Sequence, residues 1–294
     1  MKKVIVIVGP TAVGKSSLSL YLAKKLNSPI ISGDSVQIYK KLNIGSGKVG
    51  QDVLKEIKHY LIDIKDYEED YSVSDFQKEV RSLLDKIDIP LIVGGTGLYI
   101  KAALSNYDFS NKKRSIDFEK QYENLSNEEL YQVLLQLDPL QANIIHPNNR
   151  KRVLRAIECA NDDHKISSNQ DKDNYLYDAY VIFLDMERKQ LYEKIDKRVD
   201  MMFEEGLLDE VKSLYTKYGY LKRAIGYQEF EDYFKGLISL DEVKAKIKLN
   251  SHHLAKRQYT WFKHQMQAHF YNVLEPNYQE KIYQDVLTFL KSGD

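Results

Sequence analysis

The stretch Gly9-Pro10-Thr11-Ala12-Val13-Gly14-Lys15-Ser16 decides the fold, because it has the G-x-x-x-x-G-K-[ST] spacing of a phosphate-binding P-loop. Residues 3–8 before it read KVIVIV, a β-branched run that predicts a buried parallel strand. After it, leucines at 18, 22 and 26 recur at helical spacing. A strand, a glycine loop and a helix N-terminus in this order bind anions, since the loop N–H groups and the Lys15 charge converge. The alternative, a simple glycine-rich turn, does not explain the lysine, and Ser16 can offer its hydroxyl to Mg²⁺.

The composition is ordinary for a globular protein of 294 residues, at 43% hydrophobic and 29% charged. Because 43 basic side chains balance 43 acidic ones, any nucleic-acid binding has to come from local basic patches. A single cysteine, Cys159, excludes an intrachain disulfide, and its apolar helical surroundings predict a buried structural thiol. No apolar run approaches membrane-spanning length, and a strand at the N-terminus leaves no room for a signal peptide. We therefore expect a cytoplasmic protein without membrane contact or an obligatory protein partner.

The first hundred residues alternate strand-like and helix-like patterns, with strand candidates at 4–8, 29–32 and 90–93. Alternation of this kind predicts an α/β fold: a P-loop-type core with a parallel sheet flanked by helices. Ligands bind beyond the carboxyl ends of the strands in such sheets. The loop that follows each of these strands is therefore a candidate wall of the active site.

A change of character after about residue 106 predicts a small all-helical insertion domain. We assign residues 1–108 to the first part of the core, 109–175 to the insertion and 176–294 to the continuation of the core. Within the insertion, Ser126 opens a capping-box helix and another helix is predicted over 149–159. Residues 161–174 are polar and aperiodic, which predicts a mobile loop. After one further strand at 180–184, the rest is predicted to be helical, with a last long helix over 240–266.

Two polar residues follow the second and third predicted strands and are candidates for chemistry. Asp34 is suited to ligate Mg²⁺ through water, to act as a general base, or to cap the next helix, and we favour the base. Thr96 lies in a glycine-rich loop that lets backbone approach a ligand closely, although it could equally serve as a helix cap.

Basic residues cluster at two places. The first cluster consists of Arg150, Lys151, Arg152 and Arg155, and it is either a phosphate-binding face or a solvated one. The second lies over 252–264, where histidines, lysines and Arg257 alternate with aromatic residues that include Trp261. Charge interleaved with aromatic rings suits single-stranded nucleic acid, although Trp261 could instead pack in the core. The histidines have no partners at metal-ligand spacing, so we expect no zinc site.

Seven segments in a defined order carry a resemblance that covers nearly the whole chain. They are GPTAVGKS (9–16), SGDSVQIY (32–39), GGTGLY (94–99), HPNNRKRVLRAIE (146–158), RVDMMFEEGLLDEV (198–211), AIGYQE (224–229) and AKRQYTWFK (255–263). Together they resemble the bacterial type of the tRNA dimethylallyltransferases, also called tRNA isopentenylpyrophosphate transferases. Eukaryotic relatives often carry a C-terminal zinc finger, which the single cysteine excludes here.

The resemblance implies transfer of a dimethylallyl group from dimethylallyl pyrophosphate to N6 of an adenosine. That adenosine lies on the 3′ side of the anticodon, in tRNAs that read codons starting with U. Partners are therefore the tRNA anticodon stem-loop and dimethylallyl pyrophosphate, with Mg²⁺ as cofactor. The P-loop, Gly9 to Ser16, would hold a leaving pyrophosphate rather than a nucleoside triphosphate, with Arg223 as a further partner.

The resemblance also implies roles for individual residues. Asp34 and Thr96 are the predicted catalytic residues, and Ser16 is the predicted magnesium ligand. The residues that match tRNA-contacting positions are Asp34, Ser35, Val36, Gln37, Thr96, Arg114, Lys151, Arg152, Val153, Leu154 and Arg155. Lys151 stands where the family usually has glutamine, and Arg114 is the nearest match to a substrate-binding arginine of the insertion. Three alternatives remain: a P-loop kinase that uses ATP, a prenyltransferase of free adenine nucleotides, and a non-catalytic tRNA-binding protein.

Overall fold

A computed structural model describes residues 1–107, 109, 116–161 and 174–292. It divides the chain into two compact units, unit 1 (Met1–Leu104 with Tyr177–Asp294) and unit 2 (Ser105–Leu176). Arg114 and most of the predicted mobile loop at 161–174 lie outside the described residues.

Unit 1 is built on a six-stranded sheet covered by helices. Its strands are β1 (Lys3–Val8), β2 (Ile30–Ser32), β3 (His59–Tyr60), β4 (Leu91–Val93), β5 (Asp178–Asp185) and β6 (His269–Asn272). Its helices are α1 (Lys15–Leu26), α2 (Gln51–Glu56), α3 (Val73–Leu84), α4 (Gly97–Leu104), α9 (Arg188–Glu204), α10 (Leu207–Tyr218), α11 (Glu231–Phe234), α12 (Leu240–Gln265) and α13 (Tyr278–Lys291). Unit 2 contributes α5 (Ile116–Gln121), α6 (Asn127–Leu137), α7 (Pro139–Ala142) and α8 (Arg150–Asn161).

All strand pairs of the sheet are parallel, in the order β3-β2-β4-β1-β5-β6. The central strand β1 pairs with β4 on one side and β5 on the other, and its residues from Val4 to Val8 are completely buried. A strand covered on both faces has to be apolar throughout, which explains the unbroken KVIVIV run. The predicted α/β class is confirmed.

Two strands of unit 1, and the position of its last helix, differ from the sequence prediction. The edge strand β3 has only two residues, too few for a period-2 pattern to show. The other edge strand, β6, lies in a segment that was predicted to be helical, and only one of its four residues, Tyr271, is buried. The long helix α12 agrees with the prediction, but it is followed by α13 and is not the last.

The strand order places three loops at one edge of the sheet. β1, β4 and β2 are neighbours, and their carboxyl ends lead into the P-loop, the Gly94–Gly97 segment and the Asp34 segment respectively. Because parallel strands end at the same edge, residues that lie far apart in the chain meet there.

Unit 2 has its own apolar core among α6, α7 and α8. Its buried residues include Leu130 and Leu134 of α6 and Val153 and Ile157 of α8. Cys159 on the same helix is 4% exposed, as expected for a structural thiol. Of the helices in the described ranges of both units, none is long and apolar enough to cross a membrane.

Candidate active site

The P-loop connects β1 to α1 and depends on glycine at both of its ends. Gly9 has a φ of 145°, and a Cβ there would lie 2.7 Å from the carbonyl oxygen of Leu184. Gly14 adopts the left-handed conformation, φ 111°, at the N-cap of α1. A side chain at either position would strain the backbone, so the loop geometry requires glycine.

The side chain of Lys15 is fixed against the P-loop by hydrogen bonds to two backbone carbonyl oxygens of that loop. Its Nζ donates to the carbonyl oxygens of Gly9, at 3.0 Å, and Pro10, at 2.8 Å. The pKa of Lys15 is lowered to about 8, chiefly by burial and secondly by the nearby Arg198 charge, while the Asp34 charge opposes this effect. A buried cation beside a second cation is unfavourable without an anion, so the site favours binding of a negatively charged group.

Two residues that the sequence analysis did not assign to the site contact the P-loop directly. Arg198 of α9 donates from Nη1 to the Thr11 hydroxyl at 3.1 Å. Gln258 of α12 accepts from the Thr11 N–H at 2.8 Å and donates to the Gly95 carbonyl at 3.1 Å. Both lie in the segments that resemble the transferases, but only the packing of α9 and α12 shows that they face the loop.

Asp34 and Thr96 belong to one hydrogen-bonded arrangement. The Asp34 Oδ1 accepts from the backbone N–H groups of Val36, at 2.8 Å, and Gln37, at 3.3 Å. The Thr96 hydroxyl accepts from the Ser35 N–H at 3.1 Å and donates to the Ser35 hydroxyl at 3.3 Å. Asp34 therefore caps a turn at 35–38 rather than a helix, since the next helix begins only at Gln51, while Thr96 fixes the residue next to Asp34.

These elements enclose a cavity of about 790 Å³, within the usual range for ligand pockets. Among the described residues, four cations and one carboxylate line it: Lys15, Arg198, Arg223, Arg257 and Asp34. Its apolar lining includes Val36, Leu98, Ile195, Val199, Met202, Ile225, Ile247, Leu254, Trp261 and Phe262. Excess positive charge next to an apolar wall suits a ligand with an anionic head and a hydrocarbon part.

The glycines after β4 allow a close approach by the chain itself. A Cβ on Gly95 would lie 2.3 Å from the Gln258 amide nitrogen, and one on Gly97 would lie 2.2 Å from the Trp261 ring. Helix α12 therefore packs directly on this loop. Trp261 is half-buried and lines the cavity, so it is neither a simple core residue nor a freely exposed one.

The second basic cluster separates into different environments along α12. His252 stacks on Tyr192 at 4.0 Å between ring centroids, and its Nε2 lies 2.8 Å from Asp196. Arg257 lines the cavity, while Lys256 and Lys263 are exposed. The cluster therefore combines packing against α9 with charge near the cavity.

The predicted tRNA-contacting segment 151–155 lies on α8 of unit 2. Lys151 and Arg152 are exposed, whereas Val153 and Leu154 are buried, at 0% and 6% exposure, in the core of that unit. Arg155 forms a 2.6 Å ion pair with Glu158. The side chains of Val153 and Leu154 are thus occupied by packing, which leaves the three cations of this segment as its candidate side chains for RNA contact.

Arg150, at the start of α8, has a structural environment. Its guanidinium donates to the carbonyl oxygens of Leu125 and Tyr122, both at 2.6 Å. Further contacts reach Asn127 and Glu123. This arginine ties α8 to the segment before α6.

The cavity is lined by side-chain oxygen atoms of a kind that coordinates a magnesium ion bound to a phosphate. Within the described ranges, no three histidine, cysteine or acidic side chains cluster to form a metal site. Mg²⁺ usually takes only one or two protein ligands and completes its shell with water and phosphate oxygens. Ser16, at the start of α1, and Asp34 both line the cavity and fit this pattern.

Comparison with known proteins gives a consistent family assignment. The model of the family described as IPP transferase matches residues 37–265. The chain is 44% identical to a tRNA dimethylallyltransferase of Enterococcus faecalis, covering 100% of this chain and 99% of that protein. It is 38% identical to the crystal structure of tRNA delta(2)-isopentenylpyrophosphate transferase from Staphylococcus epidermidis, with a TM-score of 0.74 and complete coverage of both chains. A eukaryotic dimethylallyltransferase acting on tRNA is 28% identical with a TM-score of 0.84, covering 98% of this chain and 80% of that one.

Proposed function

The chain belongs to the IPP transferase family, and we propose that it transfers a dimethylallyl group from dimethylallyl pyrophosphate to N6 of an adenosine in tRNA. The cavity lining carries this proposal: four cations for a diphosphate, one carboxylate for a proton and an apolar wall for a five-carbon unit. We further propose that the acceptor is the adenosine on the 3′ side of the anticodon, in tRNAs that read codons starting with U, and that the reaction takes place in the cytoplasm.

The P-loop side of the cavity stabilises the leaving group. As the bond between the allylic carbon and the diphosphate oxygen breaks, negative charge grows on the departing pyrophosphate. The Lys15 ammonium, the Arg198 guanidinium beside Thr11 and the loop N–H groups are proposed to stabilise that charge, since they lie together at the P-loop. The N–H of Thr11 then has to exchange the Gln258 oxygen for a phosphate oxygen. Arg223 also lines the cavity and is a further candidate partner of the pyrophosphate.

A bound Mg²⁺ would neutralise part of the diphosphate charge and so ease its departure. Ser16 would hold the ion through its hydroxyl.

Asp34 supplies the base for the proton of the attacking amine. N6 of adenine attacks the allylic carbon, the new carbon–nitrogen bond forms, and N6 has to lose a proton. The Asp34 carboxylate is oriented by the N–H groups of Val36 and Gln37, so it reaches the amine without reorganising its own loop. Thr96 maintains this orientation through Ser35.

The acceptor adenine has to leave its stack in the RNA to enter such a cavity, which a single-stranded loop allows at modest cost. The segment Asp34 to Gln37 is proposed to contact the acceptor nucleotide. Cations of α8 are proposed to bind the phosphates of the anticodon stem-loop, namely the exposed Lys151 and Arg152 and the partly buried Arg155, which is paired with Glu158.

The decisive experiment uses labelled dimethylallyl pyrophosphate with unmodified tRNA and, separately, with AMP. Label in tRNA and none in AMP is the expected result. Label in AMP with none in tRNA would identify a prenyltransferase of free nucleotides, and ATP turnover without label transfer would identify a kinase. Neither alternative is favoured by the family, since the matched relatives are named for action on tRNA.

A further inference from the structure

Glu210 on α10 accepts hydrogen bonds from the backbone of loop 43–47, which forms part of the cavity wall. Glu210 accepts from three consecutive N–H groups, those of Asn43, Ile44 and Gly45, at 3.0–3.3 Å. Successive N–H groups that converge in this way form an anion-binding nest. Here the anion is a side chain of the protein, 165 or more residues away in the sequence.

Tyr227 completes the arrangement from the opposite side. Its hydroxyl donates to the Glu210 Oε1 at 2.8 Å, and its ring is completely buried. Burial, together with the Glu210 charge, raises the pKa of Tyr227, so the hydroxyl keeps its proton and remains a donor. The neighbouring Gly226 has a φ of 92°, and a Cβ there would lie 3.1 Å from the Gly45 carbonyl, so this segment packs closely on the same loop.

The far end of the loop meets the residues proposed to act on the substrates. Gly45, Ser46 and Gly47 line the cavity. The Gln37 side-chain amide donates to the carbonyl oxygens of Ser46, at 3.3 Å, and Gly47, at 3.4 Å. A displacement of the loop would therefore change the orientation of Gln37, three residues after Asp34.

We propose that Glu210 and Tyr227 are positioning residues that fix loop 43–47 and thereby orient Gln37 toward the acceptor nucleotide. This inference rests on the proposed function. The carboxylate is needed because two oxygens serve three N–H donors and a hydroxyl. Glutamine would keep one of these oxygens and turn an NH₂ group toward the other donors, which leaves them without an acceptor.

Glu210→Gln should raise the KM for tRNA about 10-fold, as expected when several bonds to a charged acceptor are lost. The KM for dimethylallyl pyrophosphate and kcat at saturating tRNA should stay within about 3-fold of wild type, since the hydrogen bonds of Lys15 to the P-loop involve neither Glu210 nor loop 43–47. Tyr227→Phe should have a smaller effect in the same direction. Asp209→Asn is the matched control, because it removes an exposed carboxylate from the same first turn of α10.

A double-mutant cycle with Gln37→Ala separates positioning from general loss of structure. If Glu210 acts through Gln37, the double variant should be no weaker for tRNA than Gln37→Ala alone. Amide hydrogen exchange gives a readout apart from activity: the N–H groups of Asn43, Ile44 and Gly45 should lose protection in Glu210→Gln, while those of β1 keep it.

Two results would overturn the inference: an unchanged KM for tRNA in Glu210→Gln, or fully multiplicative effects in the cycle. Failure of the proposed function would look different, because then the wild-type protein itself would not transfer label to tRNA.

Discussion

The cavity of unit 1 and helix α8 of unit 2 both collect cations, but they use them differently. In the cavity, Lys15 and Arg198 are partly buried near one another, and burial lowers the pKa of each. On α8, Arg150 is satisfied by carbonyl oxygens and Arg155 by Glu158, while Arg152 is exposed. In the sequence, nothing about the basic clusters and motifs that contain these residues distinguishes one environment from the other.

The difference teaches that a cation indicates ligand binding when the fold leaves its charge uncompensated. Neighbouring buried cations destabilise a protein unless an anion binds, so their presence together calls for a function. Lys15 also donates to carbonyl oxygens, but it does so beside a second cation in the cavity lining. Arg150 donates to carbonyl oxygens outside that lining and so stabilises its own unit. The following predictions test this distinction, from the largest expected effect to the smallest.

Asp34, the one carboxylate among the described cavity-lining residues, should give the largest effect. Asp34→Ala should lower kcat by about 10²-fold to 10⁴-fold, as for a lost general base, while tRNA still binds. Single-turnover transfer to tRNA measures the rate. Asp34→Asn is the discriminating control, because it retains an oxygen for the N–H groups of Val36 and Gln37 but cannot accept the proton. A near-normal rate in Asp34→Asn would assign the residue to capping alone.

Lys15→Met should lower kcat/KM for dimethylallyl pyrophosphate by about 10²-fold to 10³-fold, as for loss of a group that stabilises the leaving charge. In the wild type, the same quantity should fall as the pH rises above about 8, because the free enzyme then loses the Lys15 proton. The residual activity of the methionine variant should lack this pH dependence, and a persistent fall would mean that another group titrates.

The lowered pKa of Lys15 also predicts how the free energy of unfolding changes with pH, and this change tests whether burial of Lys15 is unfavourable. Between about 8 and the ordinary value of 10.5, the unfolded chain binds more protons at Lys15 than the folded one. The free energy of unfolding of the wild type should therefore gain a favourable contribution from Lys15 as the pH rises through this range. Subtracting the Lys15→Met profile, measured by urea unfolding, isolates that contribution.

Replacing Arg152 and Arg155 with alanine should weaken tRNA binding by roughly 10-fold and flatten its salt dependence, as for loss of phosphate contacts. Filter binding at several salt concentrations measures both quantities. Arg150→Met is the contrasting variant, because its guanidinium bonds within unit 2. It should lower stability by about 1–3 kcal/mol and leave the salt slope of the folded protein unchanged. Equal salt slopes in all variants would make α8 an ordinary solvated face.

Local patterns sufficed where a residue's role depends on its near neighbours in the chain. The P-loop, the buried strand before it and the helix after it follow from spacing and β-branched composition within 26 residues. Asp34 was found because it follows a predicted strand. The strands β3 and β6 were missed, since edge strands of two and four residues carry little periodic signal.

The residues that contact the P-loop from distant helices could not be predicted from local sequence patterns. Arg198 and Gln258 contact Thr11 across sequence separations of 187 and 247 residues. Each lies on a helix, and the sequence pattern of that helix is equally consistent with a solvent-exposed position for the residue. Likewise, Val153 and Leu154 belong to the matched segment 146–158, but their side chains form the core of unit 2.

The amino-acid sequence by itself determined the phosphate loop, the parallel α/β class and the family, because these depend on short-range spacing and on the order of motifs. Only the tertiary structure decided which charges face one another, through the packing of α9, α10 and α12 on the ends of the strands. Burial and electrostatic interaction are properties of distances in space, so the same arginine letter denotes a cavity-lining cation, proposed to bind a ligand, at 198 and a structural one at 150.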